Sequence, residues 1–364
     1  MISASSTLSR YVSRNFFLNF FILMGILLGI VFVFDTIEHL RRAANHEQAT
    51  AGLMFIMSAL KLGDVGQKMI PFGVLFGAIY TCWKLNRTSE LIVIRAAGLS
   101  AWQFLAPMVL SALAFGVFAT VALNPLSAFF LSKYDQMEVV YLQKNNDLLT
   151  VSRTGIWLRQ PMDEGYGLMH ADSFDKDKWV FNNVSFLFFD KDDTFESRID
   201  SPVAHLKDGQ WEMTDALVNT RQEAVRHDVQ SLPTDMTSEK IEESFADPEM
   251  LSFWRIPEYI TIMEQTGLPT TRLEIHFQAL LAQPFLLASM VLLAATFSLR
   301  PPRFGGTGLM IALGVAIGFF IFFMESVLHA FGVSQKIPTA LAAWTPCVVS
   351  LLLGMTALLH MEDG

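Results

Sequence analysis

Residues 276–299 are HFQALLAQPFLLASMVLLAATFSL and contain no Asp, Glu, Lys or Arg. An apolar stretch of about 18 or more residues is long enough to cross a bilayer as a helix. Charge-free stretches of similar character recur along the chain, at 15–34, 69–83, 96–132, 304–324 and 337–361. All but 69–83 reach that length, so the composition excludes a soluble enzyme, a disulfide-stabilised scaffold and a disordered chain.

The charged residues are distributed unevenly along the 364-residue chain, whose net charge is −9. Block 133–272 carries 14 basic and 26 acidic residues, a net of −12, and the rest of the chain carries a net of +3. An acidic balance argues against binding to nucleic acid, whose phosphates require Lys and Arg. Cys82 and Cys347 lie in apolar stretches, which favours helix packing over a disulfide. No motif indicates a metal, a cofactor or covalent catalysis.

The apolar stretches predict a polytopic α-helical membrane protein with six transmembrane helices. The second span is the least regular, because Lys61, Asp64 and Lys68 interrupt it at spacings that place all three on one helical face. The predicted spans cover 16–36, 51–83, a part of 103–130, 276–299, 305–329 and 338–360.

Basic residues in the short loops predict the orientation of these spans. The loops on the side of the termini carry seven of them, at Arg10, Arg14, Lys84, Arg87, Arg95, Arg300 and Arg303. The opposite short loops carry only Arg41, Arg42 and Lys336. By the positive-inside rule, both termini lie in the cytoplasm and block 133–272 lies outside it.

The block between the third and fourth spans changes from helical to β periodicity. Short β-prone runs are separated by clusters of Asp, Asn, Gly and Lys, and lie at 154–160, 179–189, 194–199 and 203–206. Asp208-Gly209 lies between VAHLK, which includes the last of these runs, and QWEMTDALV, and is a strong hairpin signal. The block is therefore expected to form an extracytoplasmic all-β domain, as a sandwich, a jellyroll or an open curved sheet.

Helical segments are expected at both ends of this block. Residues 133–150 extend the third span, and 255–265 form a separate amphipathic helix with one apolar face. We therefore divide the chain into an N-terminal transmembrane half, a β-jellyroll domain with flanking helices and a C-terminal transmembrane half, at 1–132, 133–272 and 273–364.

Four cations lie near the predicted outer ends of the first two spans: Arg41, Arg42, Lys61 and Lys68. Charged groups at bilayer depth are costly and tend to be functional. Arg binds phosphate through paired hydrogen bonds and Lys does so as a point charge, so one interpretation is a site for an anionic lipid head group. The other is local pairing with nearby acids, together with snorkelling to the interface; those acids are Asp35, Glu38 and Asp64.

Two further features are candidates for function. Glu325 and His329 lie one turn apart in the fifth span, where they face a cavity or simply lie near its outer end. Segment 89–98 joins two spans as a short amphipathic helix that includes Glu90 and Arg95 and ends at Gly98. Such a helix lies along the membrane face, where it docks on a cytoplasmic partner or serves as an ordinary connector.

The segment RTSELIVIRAAGLS, at 87–100, resembles the coupling-helix signature of the LptF/LptG permeases, the membrane subunits of the lipopolysaccharide export ABC transporter. The resemblance covers nearly the whole chain, through LSRYVSRNFF, DTIEHLRRA, RIDSPVAHLKDGQWEMTDALV, PRFGG, GVAIGFFIFF and IPTALAAWTP. The LRR after the first span and the IPTALAAWTP segment are closer to the LptG branch of the family than to the LptF branch.

The resemblance implies a non-catalytic permease that extracts lipopolysaccharide from the inner membrane and passes it to a bridge of periplasmic β-jellyroll domains. It implies pairing of LptG with LptF on a dimer of the cytoplasmic ATPase LptB, with LptC associated. Glu90 would be the carboxylate that docks on the ATPase, in a segment that also holds Arg95 and Gly98. Arg41 and Arg42 would contact lipid A phosphates. Lys61 and Lys68 match no family motif.

Two other functions stay open on the sequence alone. A membrane-anchored receptor with a periplasmic β domain would need no ATPase and would tolerate Glu90→Lys. An intramembrane lipid transferase that uses Glu325 and His329 would form its product in detergent without any partner.

Overall fold

The computed structural model describes most of the chain as two compact units. The helical unit comprises Met1–Met137, Ser252–Trp254 and Glu274–Gly364, and the sheet unit comprises Glu138–Leu251 and Arg255–Leu273. Within these bounds the described residues are 6–44, 50–142, 149–152, 155–162, 165–175, 180–191, 194–207, 209–220, 223–234, 247–265, 270–298 and 307–362.

Long helices form wherever the sequence is apolar and free of charge. They are α1 Ser6–Ala43, α2 Ala51–Arg87, α3 Glu90–Ala96, α4 Ala101–Phe118, α5 Asn124–Tyr141, α6 Ile256–Gln265, α7 Thr271–Ser298, α8 Thr307–Val333 and α9 Thr339–Glu362. In the described residues, five segments are long and apolar enough to cross a membrane: Thr7–Ala43, Ala101–Glu138, Thr271–Ser298, Ala312–Val333 and Thr339–His360. The predicted class of helical membrane protein is confirmed.

Helix α2 corresponds to the second predicted span and is not one of these five. It is a continuous helix of 37 residues, but Lys61, Asp64 and Lys68 interrupt its apolar sequence. The sequence predicts six spans, whereas five helices of the described residues are long and apolar enough to cross a membrane.

Helix α7 forms the centre of the helical unit. Its residues Leu287, Val291 and Ala294 are completely buried. Helix α4 approaches α7 closely at Gly116, where an added Cβ would lie 2.5 Å from the Cα of Pro284. Because no side chain fits there, Gly116 sets the distance between the two helices.

A five-residue π-helical turn, Ala119–Leu123, joins α4 to α5. Such turns interrupt the regular hydrogen bonding of a helix. Here the carbonyl of Val121 accepts a hydrogen bond from Trp254 Nε1 at 3.2 Å. The next residue of the helix, Asn124, is buried and accepts from the Phe253 amide at 2.8 Å. The π turn thus anchors the short segment Ser252–Trp254 to the helical unit.

The sheet unit contains one antiparallel sheet whose strands follow one another in chain order. The strands are β1 Leu149–Ser152, β2 Gly155–Met162, β3 Gly165–Asp175, β4 Val180–Phe189, β5 Phe195–Lys207, β6 Gln210–Thr220 and β7 Ala224–Pro233. The predicted β domain between helices is confirmed, and of its three possible forms the meander corresponds to the open curved sheet.

The curvature follows from hydrogen bonds that Gln160 of β2 makes with the far side of the sheet. Its Oε1 accepts from Trp211 Nε1 of β6 at 3.2 Å and from Thr234 Oγ1 at 2.9 Å, and its Nε2 donates to the Pro233 carbonyl at 3.1 Å. In a flat sheet with a strand spacing of about 4.8 Å, β2 and β6 would be about 19 Å apart. The sheet must therefore be rolled around Gln160.

Aromatic residues fill the interior of this rolled sheet. Trp211 is completely buried, and its ring meets those of Phe181 and Phe186 edge to face at centroid distances of 5.2 and 5.8 Å. Such edge-to-face pairs are a favoured arrangement of aromatic rings.

A crease crosses the middle strands of the sheet. On a regular strand, residues that face the same side are two apart. Buried positions are instead three apart at the crease, at Phe181 and Val184 in β4 and at Met213 and Ala216 in β6. One residue within each step takes a positive φ, Asn183 at 50° and Asp215 at 57°. The strands bend at this line while both halves continue to face one core.

Several local predictions can be compared with this unit. The hairpin is confirmed, because Lys207 pairs with Gln210 and Gly209 has a φ of 74°; Asp208 lies outside the described residues. The amphipathic helix at 255–265 is confirmed as α6, with Ile256 and Met263 buried. The helical extension over 133–150 is wrong at its end, since 149–150 belong to β1; residues 143–148 lie outside the described part.

Candidate functional site

The two arginines at the end of α1 share one carboxylate. Arg41 donates from Nε and Nη2 to Glu38 at 2.9 and 2.8 Å, and Arg42 Nε donates to Glu38 Oε1 at 3.0 Å. The Arg41 side chain is 76% exposed and that of Arg42 is 53% exposed. A guanidinium group has five N–H donors, and Glu38 accepts from two of those of Arg41, so Arg41 has donors beyond this pair.

Lys61 belongs to a polar network between α1, α2 and α5. Its Nζ lies 3.0 Å from Asp35 Oδ1 and 5.6 Å from the centre of the Tyr134 ring. His39 is buried between the same helices, and its Nδ1 lies 2.8 Å from Ser58 Oγ and 3.3 Å from Asp35 Oδ2. Its Nε2 lies 3.0 Å from the Tyr134 hydroxyl.

His39 is not among the site residues predicted from the sequence. The available signal was the spacing of Asp35 and His39, which places them one turn apart on the same helical face. The contacts to Ser58 and Tyr134 join residues far apart in the chain, so no local pattern predicts them.

Lys68 lies two helical turns from Lys61 and lines a different feature. Its Nζ forms an ion pair with Asp64 Oδ2 at 3.0 Å, and its side chain is 56% exposed. It borders a shallow, open cleft between α2, α7 and α8. The apolar lining includes Phe72, Leu75, Leu286, Met290, Ile321 and Phe322. Lys68 is thus at the edge of a small, open cleft with a largely apolar lining.

Glu325 lines the same cleft from α8. Among the residues that the structure describes, none forms a hydrogen bond or an ion pair with its carboxylate. His329, one turn further along α8, is not one of the residues that line the cleft. The predicted pair is therefore divided, and only Glu325 joins Lys68 at this site.

Segment 89–98 forms the short helix α3, bounded by residues with positive φ. Ser89 has a φ of 60° directly before the helix, and Gly98 has a φ of 82° two residues after it. Leu91 and Ile94 are buried against the helical unit. The opposite face presents two large apolar residues, Ile92 and Val93, which are 63% and 68% exposed. Exposed apolar residues on such a helix are able to contact either a partner protein or the membrane face.

The carboxylate of Glu90, the first residue of α3, is held at both oxygens. Oε2 accepts from the Tyr11 hydroxyl of α1 at 2.9 Å, and Oε1 accepts from Thr88 Oγ1 at 2.9 Å. Arg95 at the other end of α3 is exposed. The side chains of Glu90 and Arg95 therefore flank the exposed apolar pair, and Tyr11 is a member of the site that the sequence did not indicate.

These features together define a multi-pass membrane protein with a separate antiparallel β unit inserted between its helices. The family model described as "Lipopolysaccharide export system permease LptF/LptG" matches residues 10–360. The chain belongs to this family of lipopolysaccharide export permeases.

Two relatives show how far this similarity extends. The "Lipopolysaccharide export system permease protein LptG" of Escherichia coli strain K12 is 22% identical over 369 residues, which cover 97% of this chain and 98% of the relative. The protein of the same name from Haemophilus influenzae is 20% identical over 308 residues, which cover 82% of this chain and 83% of the relative. The family assignment therefore applies to both units, and the chain is a multi-pass protein of the inner membrane.

Proposed function

We propose that this chain is the LptG-type permease of an ABC transporter that extracts lipopolysaccharide from the inner membrane. The observation that carries the transporter role is α3, which presents Glu90, Ile92 and Val93 on the outside of the helical unit. The names of the two relatives support the LptG assignment over LptF.

The energy for extraction has to come from another subunit. Removing a lipid from a bilayer exposes its acyl chains at about 0.8 kcal/mol per buried methylene, so spontaneous release is negligible. The sequence contains no GxxxxGK[ST] motif for binding nucleotide phosphates. We assign hydrolysis to the cytoplasmic ATPase LptB, two copies of which would carry this chain and its paralogue LptF. LptC would complete the assembly.

Transmission of this energy would pass through α3. Ile92 and Val93 would dock in an apolar groove of the ATPase, while Glu90 and Arg95 would pair with charges at its rim. Gly98 would let the chain turn directly into α4, because its φ of 82° suits glycine. Closure of the ATPase would then move α4 and narrow the lipid cavity.

The lipid phosphates would bind at the outer end of α1. Both arginines pair with Glu38, and Arg41 has N–H donors beyond those that Glu38 accepts, so phosphate can bind there without breaking every ion pair. Lys61 would contribute less, because Asp35 already neutralises it. Lys68, Glu325 and the more distant His329 would belong to the cavity that receives the rest of the lipid.

The orientation follows from the charge asymmetry of the short loops. We place both termini in the cytoplasm and the sheet unit in the periplasm, with the chain divided at 132/133 and 272/273. The jellyroll-like sheet, rolled around Gln160, would offer its apolar interior to acyl chains and pass them to a bridge of similar domains.

The test is affinity purification of the tagged chain from its native membranes. The proposal predicts recovery of a paralogous permease, an ATPase and lipopolysaccharide, and loss of the ATPase with Glu90→Lys. A membrane-anchored receptor, the alternative, would be recovered without an ATPase and would be unaffected by Glu90→Lys. Recovery of LptG-type and LptF-type chains in equal amounts would support the pairing, whereas two copies of this chain would contradict it.

A further inference from the structure

The cleft between α2, α7 and α8 carries two charges of opposite sign that do not neutralise each other. Lys68 lines it from α2, where Asp64 is its ion-pair partner, and Glu325 lines it from α8 without a partner in the described residues. The remaining lining is largely apolar. Any ligand of the cleft therefore meets a cation and a carboxylate at once.

Glu325 lies well inside its helix. It precedes the end of α8 at Val333 by about 12 Å, at a rise of about 1.5 Å per residue. An ionisable residue inside a membrane-spanning helix is costly unless something pairs with it, and it is usually functional. Its neighbours Met324 and Ser326 cannot supply a positive charge.

A purely anionic group does not suit this cleft. Phosphate would be attracted by Lys68, whose ammonium has three donors and can bind it while keeping Asp64. The carboxylate of Glu325 would repel the same phosphate, because both carry negative charge. Its own charge would then stay uncompensated. A phosphate that carries an amine through a short linker satisfies both side chains.

We propose that this cleft is a subsite for an aminoalkyl phosphate, in which Lys68 holds the phosphate and Glu325 holds the amine. The inference rests on the proposed function, because it assumes that the helical unit admits a lipid from the bilayer. Two lipids present this chemistry: a lipopolysaccharide whose phosphates bear ethanolamine, and phosphatidylethanolamine itself.

The experiment measures binding of four lipids to the full transporter complex in detergent. They are lipopolysaccharide with bare phosphates, lipopolysaccharide with ethanolamine-substituted phosphates, phosphatidylglycerol and phosphatidylethanolamine. We expect the amine to raise affinity about tenfold within at least one pair, the size of one hydrogen bond to a charged group. The two lipopolysaccharides form one pair and the two phospholipids form the other. A preference for the amine between the lipopolysaccharides identifies the exported lipid as the occupant, and a preference between the phospholipids identifies a bilayer lipid.

Variants of Glu325 test whether its carboxylate causes the preference for the amine. Glu325→Gln should abolish it, because it lowers the affinity for the amine-bearing lipids and, by removing the repulsion, does not lower that for the amine-free ones. Glu325→Asp should retain part of the preference, and the control Ser326→Ala should retain all of it. Lys68→Gln should weaken both members of a pair. The proposal would be overturned by any of three results: equal affinity within both pairs, a preference that survives Glu325→Gln, or loss of the partner permease from the Glu325→Gln complex.

The same measurement separates this inference from the proposed function. If neither lipopolysaccharide binds, the export role fails while the phospholipid pair still decides whether Glu325 selects an amine. If both lipopolysaccharides bind equally well and the phospholipids do too, the export role stands and the subsite is rejected.

Discussion

The hydroxyl of Tyr11 donates a hydrogen bond to Glu90 Oε2 at 2.9 Å, although 79 positions separate the two residues in the chain. The contact joins the beginning of α1 to the first residue of α3. At its other end, α1 carries Arg41 and Arg42. A single helix about 57 Å long, at about 1.5 Å per residue, therefore connects the proposed coupling helix to the proposed phosphate site.

Removing the Tyr11 hydroxyl should loosen this connection. Tyr11→Phe deletes one exposed hydrogen bond to a carboxylate, which is worth about 1 kcal/mol. We expect ATP-driven lipopolysaccharide release by the reconstituted complex to fall about fivefold, while the ATPase remains bound. Tyr80→Phe, which removes another half-exposed hydroxyl of the helical unit, should have no effect. Equal release by Tyr11→Phe and the unmodified chain would contradict the role of this contact.

Reversing the charge of Glu90 should affect assembly itself. Glu90→Lys removes the acceptor of Tyr11 and Thr88 and introduces repulsion against any cation of the ATPase. We expect recovery of the ATPase with the purified complex to fall at least about tenfold, as for loss of a charge pair that is well placed in an interface. Glu212→Lys reverses an exposed charge of the sheet unit and serves as the control. Normal assembly and turnover of Glu90→Lys would show that α3 is an ordinary connector.

Reversing both arginines at the end of α1 should weaken lipid binding without affecting the ATPase. Arg41→Glu with Arg42→Glu places three carboxylates where two guanidinium groups and Glu38 now lie. Photocrosslinking of lipopolysaccharide to this helix end should fall at least about tenfold, since each charge-assisted hydrogen bond is worth about 1.5–3 kcal/mol. Lys336→Glu, an exposed cation predicted on the same side of the membrane, is the control. Unchanged crosslinking in the double variant would refute the phosphate site.

Gln160 should hold the two ends of the sheet together. Gln160→Leu leaves Trp211 Nε1, Thr234 Oγ1 and the Pro233 carbonyl without their buried partner, at a cost of about 2–4 kcal/mol. Amide hydrogen exchange in β2 and β6 should then accelerate, while exchange in α7 stays the same. Gln210→Leu, at an exposed position of the same sheet, should change neither. Unaltered exchange in β2 would mean that the sheet keeps its curvature without Gln160.

The sequence was sufficient for the parts of the fold that depend on local patterns. Charge-free stretches predicted the long apolar helices, and Gly98 marked the end of α3 because it takes a positive φ. The hairpin at Gly209 followed from the same logic. Each of these features depends on residues within a few positions of one another, so a single stretch of sequence contains the signal.

Strands with a weak apolar face were missed. The buried positions of β3 do alternate, at Gly167, Met169 and Ala171, but two of them are small residues, and every β7 residue from Ala224 to Val229 is exposed. β5 was predicted as two runs because Pro202 interrupts it. The strand continues through Pro202 because this residue lies on the crease, where neither neighbouring strand pairs with it.

The sequence was sufficient to predict which residues belong to the candidate site, but not which of them contact one another. Arg41, Arg42, Lys61 and Lys68 are evident as cations near the membrane, and Glu90 is evident within its motif. The contacts that distinguish them join remote positions: Asp35 to Lys61, Tyr11 to Glu90, and the two sides of the Glu325 cleft. Helix packing determines these contacts, and spacing along one helix carries no information about them.

The central claim is that this chain moves lipid only when an ATPase drives it through α3. The most direct measurement follows lipopolysaccharide release from vesicles that contain either this chain alone or the complete complex. We predict release only from the complete complex, only with hydrolysable ATP, and at a strongly reduced rate with Glu90→Lys. Release from vesicles that contain this chain alone, or release that is independent of ATP, would contradict the claim.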